Sequence, residues 1–229
     1  MKTQFLGNFL DLFYPRFCPV CGGQLLRSEK VICTKCLLHL PKANYHLSDD
    51  NPVAKAFWGR VQVENATAWY FFEKGSRYQK LIHKIKYKGQ KEIGYELGIM
   101  FGEDLSLTSY QFVDEFIPVP LHSRKLKKRG FNQSEWIARG IAESMNKQLN
   151  TVTLQRIVAS PTQTRKSRYE RWENVADIFQ LTHPEKIENK HILLIDDVMT
   201  TGSTLEACAS TILKAKGTTV SIAVLAYAL

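Results

Sequence analysis

Two adjacent aspartates, Asp196 and Asp197, directly follow an apolar run at residues 191–195. A run of this kind is typical of a strand that is buried on both faces, as in a parallel sheet with helices above and below. Buried neighbouring carboxylates repel each other and lose hydration, so such a pair is tolerated where a ligand's hydroxyls, a cation or water takes up the charge. The pair therefore predicts a binding site at the end of this strand.

A loop of small, hydroxyl-bearing residues follows the aspartates, and helical periodicity resumes at Leu205. The loop consists of Thr200, Thr201, Gly202, Ser203 and Thr204. Gly202 permits a positive φ and close approach of a ligand, and the free N–H groups of the following helix's first turn suit a phosphate. No lysine follows in the pattern of a nucleoside triphosphate P-loop, so the combination predicts a sugar phosphate ligand. The alternative is a Rossmann-like strand with an acidic end, which leaves the hydroxyl-rich loop unexplained.

The segment ILLIDDVMTTGSTL resembles the phosphoribosyl pyrophosphate (PRPP) binding motif of type I phosphoribosyltransferases. The resemblance implies that Asp196 and Asp197 bind the ribose 2′ and 3′ hydroxyls of PRPP and that the loop at residues 200–204 holds its 5′-phosphate. Purine phosphoribosyltransferases carry an aspartate in place of Thr200, where it serves as a proton acceptor for the purine ring. Purine salvage is therefore a less expected activity.

Four of the five cysteines form two Cys-x-x-C pairs separated by eleven residues. They are Cys18, Cys21, Cys33 and Cys36. Two such pairs can converge on one tetrahedral ion, for which zinc fits best, with an iron centre or a redox pair as alternatives. Disulfides would be hard to keep in a reducing cytoplasm, and four thiolates leave no coordination position for water. The pattern therefore predicts a structural zinc ribbon, while the isolated Cys208 indicates core packing.

Length and composition describe a globular chain with a basic surface. The 229 residues, 44% hydrophobic and 23% charged, suffice for one sizeable core and a small satellite module. Lysine and arginine number 31 against 22 acidic residues, and the net charge of +9 suits a polyanionic partner. The N-terminus lacks the cleavage site of a signal peptide, and no apolar run reaches the ~20 residues that span a bilayer. We therefore expect a cytoplasmic protein without a membrane span.

The chain divides into three parts, with a short helix and zinc ribbon at 1–40, a linker at 41–60 and an α/β domain at 61–229. Valine and aromatic residues at 61–73 predict a hairpin, and a break at Gly89 separates two helical stretches. Alternation of strands and helices predicts a parallel sheet flanked by helices. The further elements expected are strands within 112–120, 154–158, 178–181 and 219–228, and helices at 131–149 and 203–216.

Five basic residues crowd the segment 124–129, which follows the strand expected within 112–120. A surface charge run is usually a solvated face, but α/β sheets bind ligands at the C-terminal ends of their strands. In type I phosphoribosyltransferases the equivalent loop binds pyrophosphate, with Mg²⁺ bridging the diphosphate oxygens to the sugar hydroxyls. By this resemblance the pyrophosphate-binding candidates are Arg124, Lys125, Lys128 and Arg129.

The polar stretch at 160–177 is too long and too charged to be a simple connector. Long loops in compact domains are often lids, and closure would shield an oxocarbenium-like state from water. We expect a lid here, with an ordinary exposed loop as the alternative. Arg165 and Arg171 are the candidates to contribute charge, and Trp172 is expected to pack rather than to stack on a ligand.

The order of motifs along nearly the whole chain resembles the competence protein ComF family of bacteria. These motifs are the double Cys-x-x-C ribbon, LIHKIKYKGQKEIGYELG, IPVPLHSRKLKKRGFNQSEWIARGIA, QTRKSRYERWENVADIF and IDDVMTTGSTL. The resemblance implies a zinc ribbon joined to a type I phosphoribosyltransferase domain that acts in the uptake of single-stranded DNA during natural transformation. It also implies a DNA-translocating ATPase as partner, which would bring a cytoplasmic protein to the inner face of the membrane.

Two functions are compatible with these features. The first is a ComF-type competence factor that retains a PRPP or phosphate site and binds single-stranded DNA through basic helices. Its nucleic-acid candidates are Lys80, Lys84, Lys86, Lys88 and Lys91, and Tyr78 and Tyr87 among them either stack on bases or pack in the core. The alternative is an active phosphoribosyltransferase that transfers ribose 5-phosphate from PRPP to an unknown acceptor. No residue is assigned as catalytic.

Overall fold

The structure, a computed structural model, describes residues 15–87, 89–157 and 178–228. The helix expected near the N-terminus, before residue 15, lies outside this range. The lid candidates Arg165 and Arg171, Trp172 and the nucleic-acid candidate Lys88 also lie outside the described residues.

Five strands form one parallel sheet at the centre of the molecule. They are β1 (Ala66–Phe72), β2 (Glu115–Pro118), β3 (Gln148–Leu149), β6 (His191–Met199) and β7 (Thr219–Ala228). The spatial order is β1-β7-β6-β2-β3, and every neighbouring pair is parallel. On β6, Leu193 and Ile195 face one layer of the core, whereas Ile192 and Leu194 face the other, and all four are fully buried. The expected parallel sheet with a central buried strand is confirmed.

Helices cover both faces of this sheet. In the described part of the chain the helices are α1 (Thr34–Leu38) in the cysteine ribbon, α2 (Pro52–Lys55), α3 (Gln79–Tyr87), α4 (Lys91–Leu105), the exposed α5 (Ser123–Arg129), α6 (Gln133–Ser144) and α7 (Ser203–Ile212). The helices α3, α4 and α6 pack on the first core layer, and α2 and α7 pack on the second. The predicted break at Gly89 does separate α3 from α4. No helix in the described part of the chain is both long enough and apolar enough to span a bilayer.

Glycines let α4 and α6 cross at very short distance. A Cβ atom added at Gly98 would lie 2.3 Å from the carbonyl oxygen of Ile137, and one added at Gly140 would lie 2.0 Å from the carbonyl oxygen of Tyr95. Only a hydrogen atom fits at these positions, so the two backbones are in direct contact. This contact fixes α6, whose first turn reaches the aspartate pair.

The remaining strands, β4 (Leu154–Arg156) and β5 (Phe179–Leu181), form a separate antiparallel pair. Both were expected as strands from the sequence. Leu154 and Phe179 are buried in the second core layer. The segment expected to be a lid connects these two strands.

Two sequence predictions about local structure are wrong. Residues 61–73 do not form a hairpin, because only β1 is extended and it pairs in parallel with β7. Val61 and Val63 instead pack partly buried against the second core layer. The basic segment 124–129 is not an open loop but the helix α5, which begins after His122 and ends at Gly130 with a φ of 81°.

The segment 41–60, expected as a linker, contains α2 and packs on the sheet. Asn51 begins α2, and its Oδ1 accepts hydrogen bonds from the N–H groups of Val53 and Ala54, both at 3.0 Å. Val53 and Phe57 are fully buried in the second core layer. This segment therefore holds Phe57 in contact with the loop that follows β6.

The cysteine ribbon docks on α3 and α4. The hydroxyl of Tyr78 lies within hydrogen-bonding distance of the carbonyl oxygens of Cys36 (3.0 Å) and His39 (2.6 Å). Lys30 forms an ion pair with Glu96 at 2.9 Å. The apolar side chains of the ribbon belong to the same buried cluster as those of α3 and α4, so ribbon and sheet share one core layer.

Candidate functional site

The aspartate pair lies near the C-terminal end of β6, which is flanked by β7 and β2 in the sheet. Asp196 is 9% exposed and Asp197 3% exposed, so both carboxylates are buried. The C-terminal edge of a parallel sheet is where α/β proteins bind their ligands. The sequence predicted a strand that ends before the pair, whereas β6 continues through both aspartates to Met199, so they lie within its last four residues.

Asp196 receives hydrogen bonds from neutral groups. Its Oδ1 accepts from the hydroxyl of Ser134 at 2.7 Å and from the N–H of Asp197 at 2.8 Å. Burial and, second, the charge of Asp197 raise the pKa of Asp196 to about 7, although these hydrogen bonds act in the opposite direction. Asp196 can therefore exchange a proton near neutral pH.

Ser134 is positioned by the residue that begins α6. Asn132 accepts a hydrogen bond from the N–H of Ser134 at 3.1 Å and donates its amide to the carbonyl oxygen of Val119 at 3.0 Å. Asn132 therefore ties the end of β2 to the first turn of α6. Neither Asn132 nor Ser134 was predicted as a site residue, although an asparagine before an amphipathic helix is a recognisable helix start.

Asp197 faces a cation from α3. The ammonium of Lys86 lies 2.9 Å from Oδ2 of Asp197, with the two side chains 23% and 5% exposed. The contact is an ion pair without hydrogen-bond alignment, because the buried Oδ2 has no hydrogen-bond partner among the described residues. The hydroxyl of Tyr70 is also buried without such a partner, and burial, followed by the charge of Asp197, raises the pKa of Tyr70. Buried polar atoms without partners indicate a place where a ligand can supply them.

The loop at residues 200–204 presents hydroxyl groups to solvent at the start of α7. Thr200, Thr201, Ser203 and Thr204 are exposed, and the hydroxyls of Thr201 and Ser203 lie 3.1 Å apart. Gly202 begins α7 with a φ of 76°, which favours glycine. A Cβ there would also lie 3.2 Å from Phe57. Exposed hydroxyls next to the free N–H groups of a helix's first turn are donors that suit a phosphate.

Arg60 supports this loop from outside. Its guanidinium donates to the carbonyl oxygen of Thr201 at 3.3 Å and to that of Ala56 at 3.0 Å. It also forms an ion pair with Glu206 in the first turn of α7. Arg60 therefore ties the segment before β1 to the loop, and no feature of the sequence alone identified it.

The structure separates the four pyrophosphate candidates into two groups. Arg124, Lys125 and Lys128 are exposed on α5. Arg129 is half-buried, donates to Oε1 of Gln133 at 2.8 Å and lies 5.1 Å from the centre of the Tyr87 ring. Arg129 thus joins α5 to α6 and α3, while diphosphate binding by the exposed residues stays a prediction.

The predicted nucleic-acid lysines have different surroundings. Lys86 is paired with Asp197, and Lys91 lies 4.4 Å above the ring of Trp136. Lys80 is exposed and Lys84 half-buried on α3. Of the two tyrosines near them, Tyr78 is only 6% exposed and belongs to the core, so the stacking interpretation is wrong for that residue. Tyr87 is 64% exposed.

The four ribbon cysteines meet at one point. Their Sγ atoms all lie within 4.8 Å of one another, and those of Cys21 and Cys33 are 3.7 Å apart. Two sulfurs bound to one tetrahedral zinc at about 2.3 Å lie about 3.8 Å apart, so the spacing fits zinc. Sγ of Cys21 accepts from the N–H of Gly23 and that of Cys33 accepts from the N–H of Cys36, both at 3.4 Å. The four cysteines could therefore hold a metal such as zinc.

Comparison with known sequences identifies the family. Residues 137–229 match the model of the phosphoribosyl transferase domain, which includes the aspartate pair and the hydroxyl-rich loop. The chain is 30% identical to DNA utilization protein YhgH of Shigella flexneri over 210 residues, which cover 90% of this chain and 87% of that protein. It is 31% identical to competence protein F of Haemophilus influenzae over 94 residues, 40% of this chain and 41% of that protein. The chain belongs to the ComF family. A second ComF-family relative, YhgH of Salmonella typhimurium, is 29% identical and covers 93% of this chain and 91% of its own length.

Solved structures give only a distant likeness. Glutamine PRPP amidotransferase from B. subtilis shares 19% identity and a TM-score of 0.42, over 58% of this chain and 26% of that chain. Adenine phosphoribosyltransferase from Thermoanaerobacter pseudethanolicus shares 15% identity and a TM-score of 0.39, over 65% of this chain and 73% of that chain. The fold assignment of this ComF-family chain rests on its own strand order and on the domain match.

Proposed function

We propose that this protein is a ComF-type DNA utilization factor that assists the uptake of single-stranded DNA and retains a working PRPP site. The names of its relatives support the first part, because they are described as DNA utilization and competence proteins. The aspartate pair and the loop at residues 200–204 support the second. Both features fall within the stretch that matches the phosphoribosyl transferase domain.

The observation that carries the PRPP proposal is the buried Oδ2 of Asp197, which has an ammonium beside it but no aligned hydrogen-bond donor from the described part of the chain. Ribose hydroxyls are donors of the required kind, and Asp196 offers a second carboxylate next to it. A 5′-phosphate would then accept hydrogen bonds from the hydroxyls and N–H groups at the start of α7. The diphosphate, with Mg²⁺ bound to its oxygens, would face the cations of α5.

Isothermal titration of the zinc-loaded protein with PRPP and Mg²⁺ tests the site. We expect Asp197→Asn to lower the affinity at least about tenfold, because the neutral amide accepts a weaker hydrogen bond from a hydroxyl than the carboxylate does. Asp50→Asn is the matched control, since Asp50 is exposed and forms an ion pair with the surface residue Lys55. An unchanged dissociation constant for Asp197→Asn would rule out this pocket.

The DNA proposal rests on the lysines of α3 and on the cations beside the ring of Trp136 in α6. Lys91 and Arg139 both lie over the ring of Trp136, at 4.4 and 5.5 Å. Cations beside an aromatic ring are a common arrangement for binding single strands. Anisotropy of a labelled oligothymidylate should show affinity that falls steeply with salt, and Lys91→Ala should reduce that slope by about one, unlike Lys214→Ala. Absence of binding at low salt would refute this part.

An active phosphoribosyltransferase is the second candidate, favoured by the cavity beside Asp197 that is described below. The ATPase partner and a cytoplasmic location at the inner face of the membrane are proposals that rest on the family resemblance. The structural role of the zinc is a proposal that rests on the four thiolates, which leave no coordination position for water. Transfer would be detected as pyrophosphate release from PRPP that depends on an added acceptor. A PRPP-binding protein that never releases pyrophosphate would be a sensor or a binding module.

A further inference from the structure

A cavity of about 470 Å³ opens beside the aspartate pair. It is lined by the end of β1, the segment leading into α3, one side of α3, and Val198 of β6. Lys86 belongs both to this lining and to the ion pair with Asp197, and Val198 directly follows Asp197. A molecule in the cavity would therefore lie next to the carboxylate that we propose for the ribose. We call this space the α3 cavity.

The walls of the α3 cavity combine an apolar part with rings at its rim. Phe72 and Ile82 are buried and, together with Val198, form the apolar part. Tyr87 and His83 lie at the opening with their ring centres 4.9 Å apart. Apolar walls and exposed aromatic rings favour a flat, ring-shaped ligand.

The polar groups of the α3 cavity favour an anion. Lys80 and Lys86 contribute two ammonium groups, and among the described residues none that lines the cavity is acidic. The hydroxyl of Ser76 is buried and has no hydrogen-bond partner among the described residues, so a ligand oxygen can pair with it. A volume of about 470 Å³ lies within the usual range for small-molecule sites.

We propose that the α3 cavity binds a planar aromatic carboxylate as the second ligand of the PRPP site. The inference rests on the proposed PRPP function for its place beside the ribose, but the cavity and its charge stand independently of it. It assigns a chemical class to the acceptor, which the family resemblance leaves open.

Lys86 would couple the two ligands. Without ligand its ammonium faces Asp197. Ribose hydroxyls that bind Asp197 would compete for that carboxylate, and a carboxylate in the α3 cavity would provide Lys86 with a new partner. Each ligand would then strengthen the binding of the other by the same factor, as thermodynamic linkage requires.

Equilibrium dialysis with two fluorescent probes of nearly the same shape tests the proposal. Anthranilate carries a negative charge at pH 8, whereas anthranilamide is neutral. We expect anthranilate to bind about tenfold more tightly than anthranilamide, and saturating PRPP with Mg²⁺ to raise its affinity a further fivefold or more. Lys86→Met should abolish the difference between the probes and the effect of PRPP, whereas Lys214→Met, on the exposed surface after α7, should retain both.

The outcomes separate this inference from the proposed function. If anthranilate does not bind, or if both probes bind equally, the acid site is refuted. The PRPP site stands in either case if PRPP itself binds. If anthranilate binds selectively while PRPP does not bind, the PRPP proposal fails and the cavity remains an independent acid site. If neither binds, both fail.

Discussion

The two neighbouring aspartates have different surroundings, although they differ by only one position in the chain. Asp196 is held by the neutral donors Ser134 and the N–H of Asp197, whereas Asp197 faces the ammonium of Lys86. Burial, followed by the charge of Asp197, raises the pKa of Asp196. Asp196 should therefore determine how ligand binding depends on pH, while Asp197 should determine how it depends on Lys86.

PRPP binding should strengthen as the pH rises from 6 to 8. Because the pKa of Asp196 is about 7, its carboxyl is mostly protonated at pH 6 and mostly ionised at pH 8. The ionised form accepts the stronger hydrogen bond from a ribose hydroxyl, so the affinity should rise by up to about tenfold. Titration calorimetry between pH 6 and pH 8 measures this rise in affinity. Asp196→Asn should flatten the profile, leaving only the titration of PRPP itself, and an equally steep profile for that variant would contradict the assignment.

The raised pKa of Asp196 should also make the stability of the protein depend on pH. The folded-state pKa of Asp196 lies above its ordinary value of 3.8, so its ionisation opposes folding and stability is lost as the pH rises from about 4 to about 7. The side chain of Asp196→Asn does not ionise, so the variant does not lose stability in this way. Its free energy of unfolding should exceed that of the wild type, with an advantage that grows by roughly 1–3 kcal/mol between pH 5 and pH 8. Urea denaturation at the two pH values provides the measurement, and a variant that is less stable at pH 8 would contradict the burial argument.

The sequence alone predicted Asp196, Asp197 and the loop after them, because these residues are contiguous and their types are unusual for a strand end. It listed Lys86 only as a nucleic-acid candidate, since a partner distant in the chain is determined by tertiary packing. Ser134 was missed for the same reason. A single sequence shows local chemistry, but pairings across elements require the fold.

At the scale of elements, the α4–α6 crossing depends on glycines. We predict that Gly98→Ala lowers the free energy of unfolding by roughly 2–4 kcal/mol, because its Cβ would lie 2.3 Å from the carbonyl oxygen of Ile137. Gly94→Ala on the same helix is the matched control. Its Cβ would meet the side chain of Ile137 at 3.4 Å, and alanine favours the helix, so its effect should stay within about 1 kcal/mol. Equal effects in chemical denaturation would contradict this view of the crossing.

Two element predictions failed for physical reasons that the sequence contains only in part. Val61 and Val63 suggested an extended strand, but they are accommodated by packing against the second core layer. The segment 124–129 was interpreted by its charge, although lysine, arginine and leucine are good helix formers and Gly130 provides a helix end. The charge of the segment suggested a loop, whereas the helix propensities of its residues predict the helix that is observed.

At the scale of the whole molecule, the ribbon and the sheet should lose stability together. The ribbon's apolar side chains share a core layer with α3 and α4, and Tyr78 bonds to backbone carbonyls of the ribbon. We predict that Cys36→Ser removes bound zinc and lowers the thermal midpoint of one cooperative transition, by about 2–4 °C for each kcal/mol lost. Elemental analysis measures the bound zinc, and calorimetry measures the thermal midpoint. Cys208→Ala should keep the metal, because Cys208 is buried in α7. If zinc-free wild type melts at the same temperature as the zinc-loaded protein, the structural metal site is refuted.

The strand order has a consequence for how the protein is made. Strand β7 lies between β1 and β6 in the sheet, yet it is synthesised after every other strand in the described part of the chain. Until it leaves the ribosome, β1 has no neighbouring strand among those described and its backbone bonds to that of residues 41–43, and the edge of β6 that β7 will cover is open to other chains. The sheet of a growing chain is thus split into two parts. Chains stalled before residue 219 would be natural clients for chaperones and proteases, whereas completion of β7 joins the two parts at once.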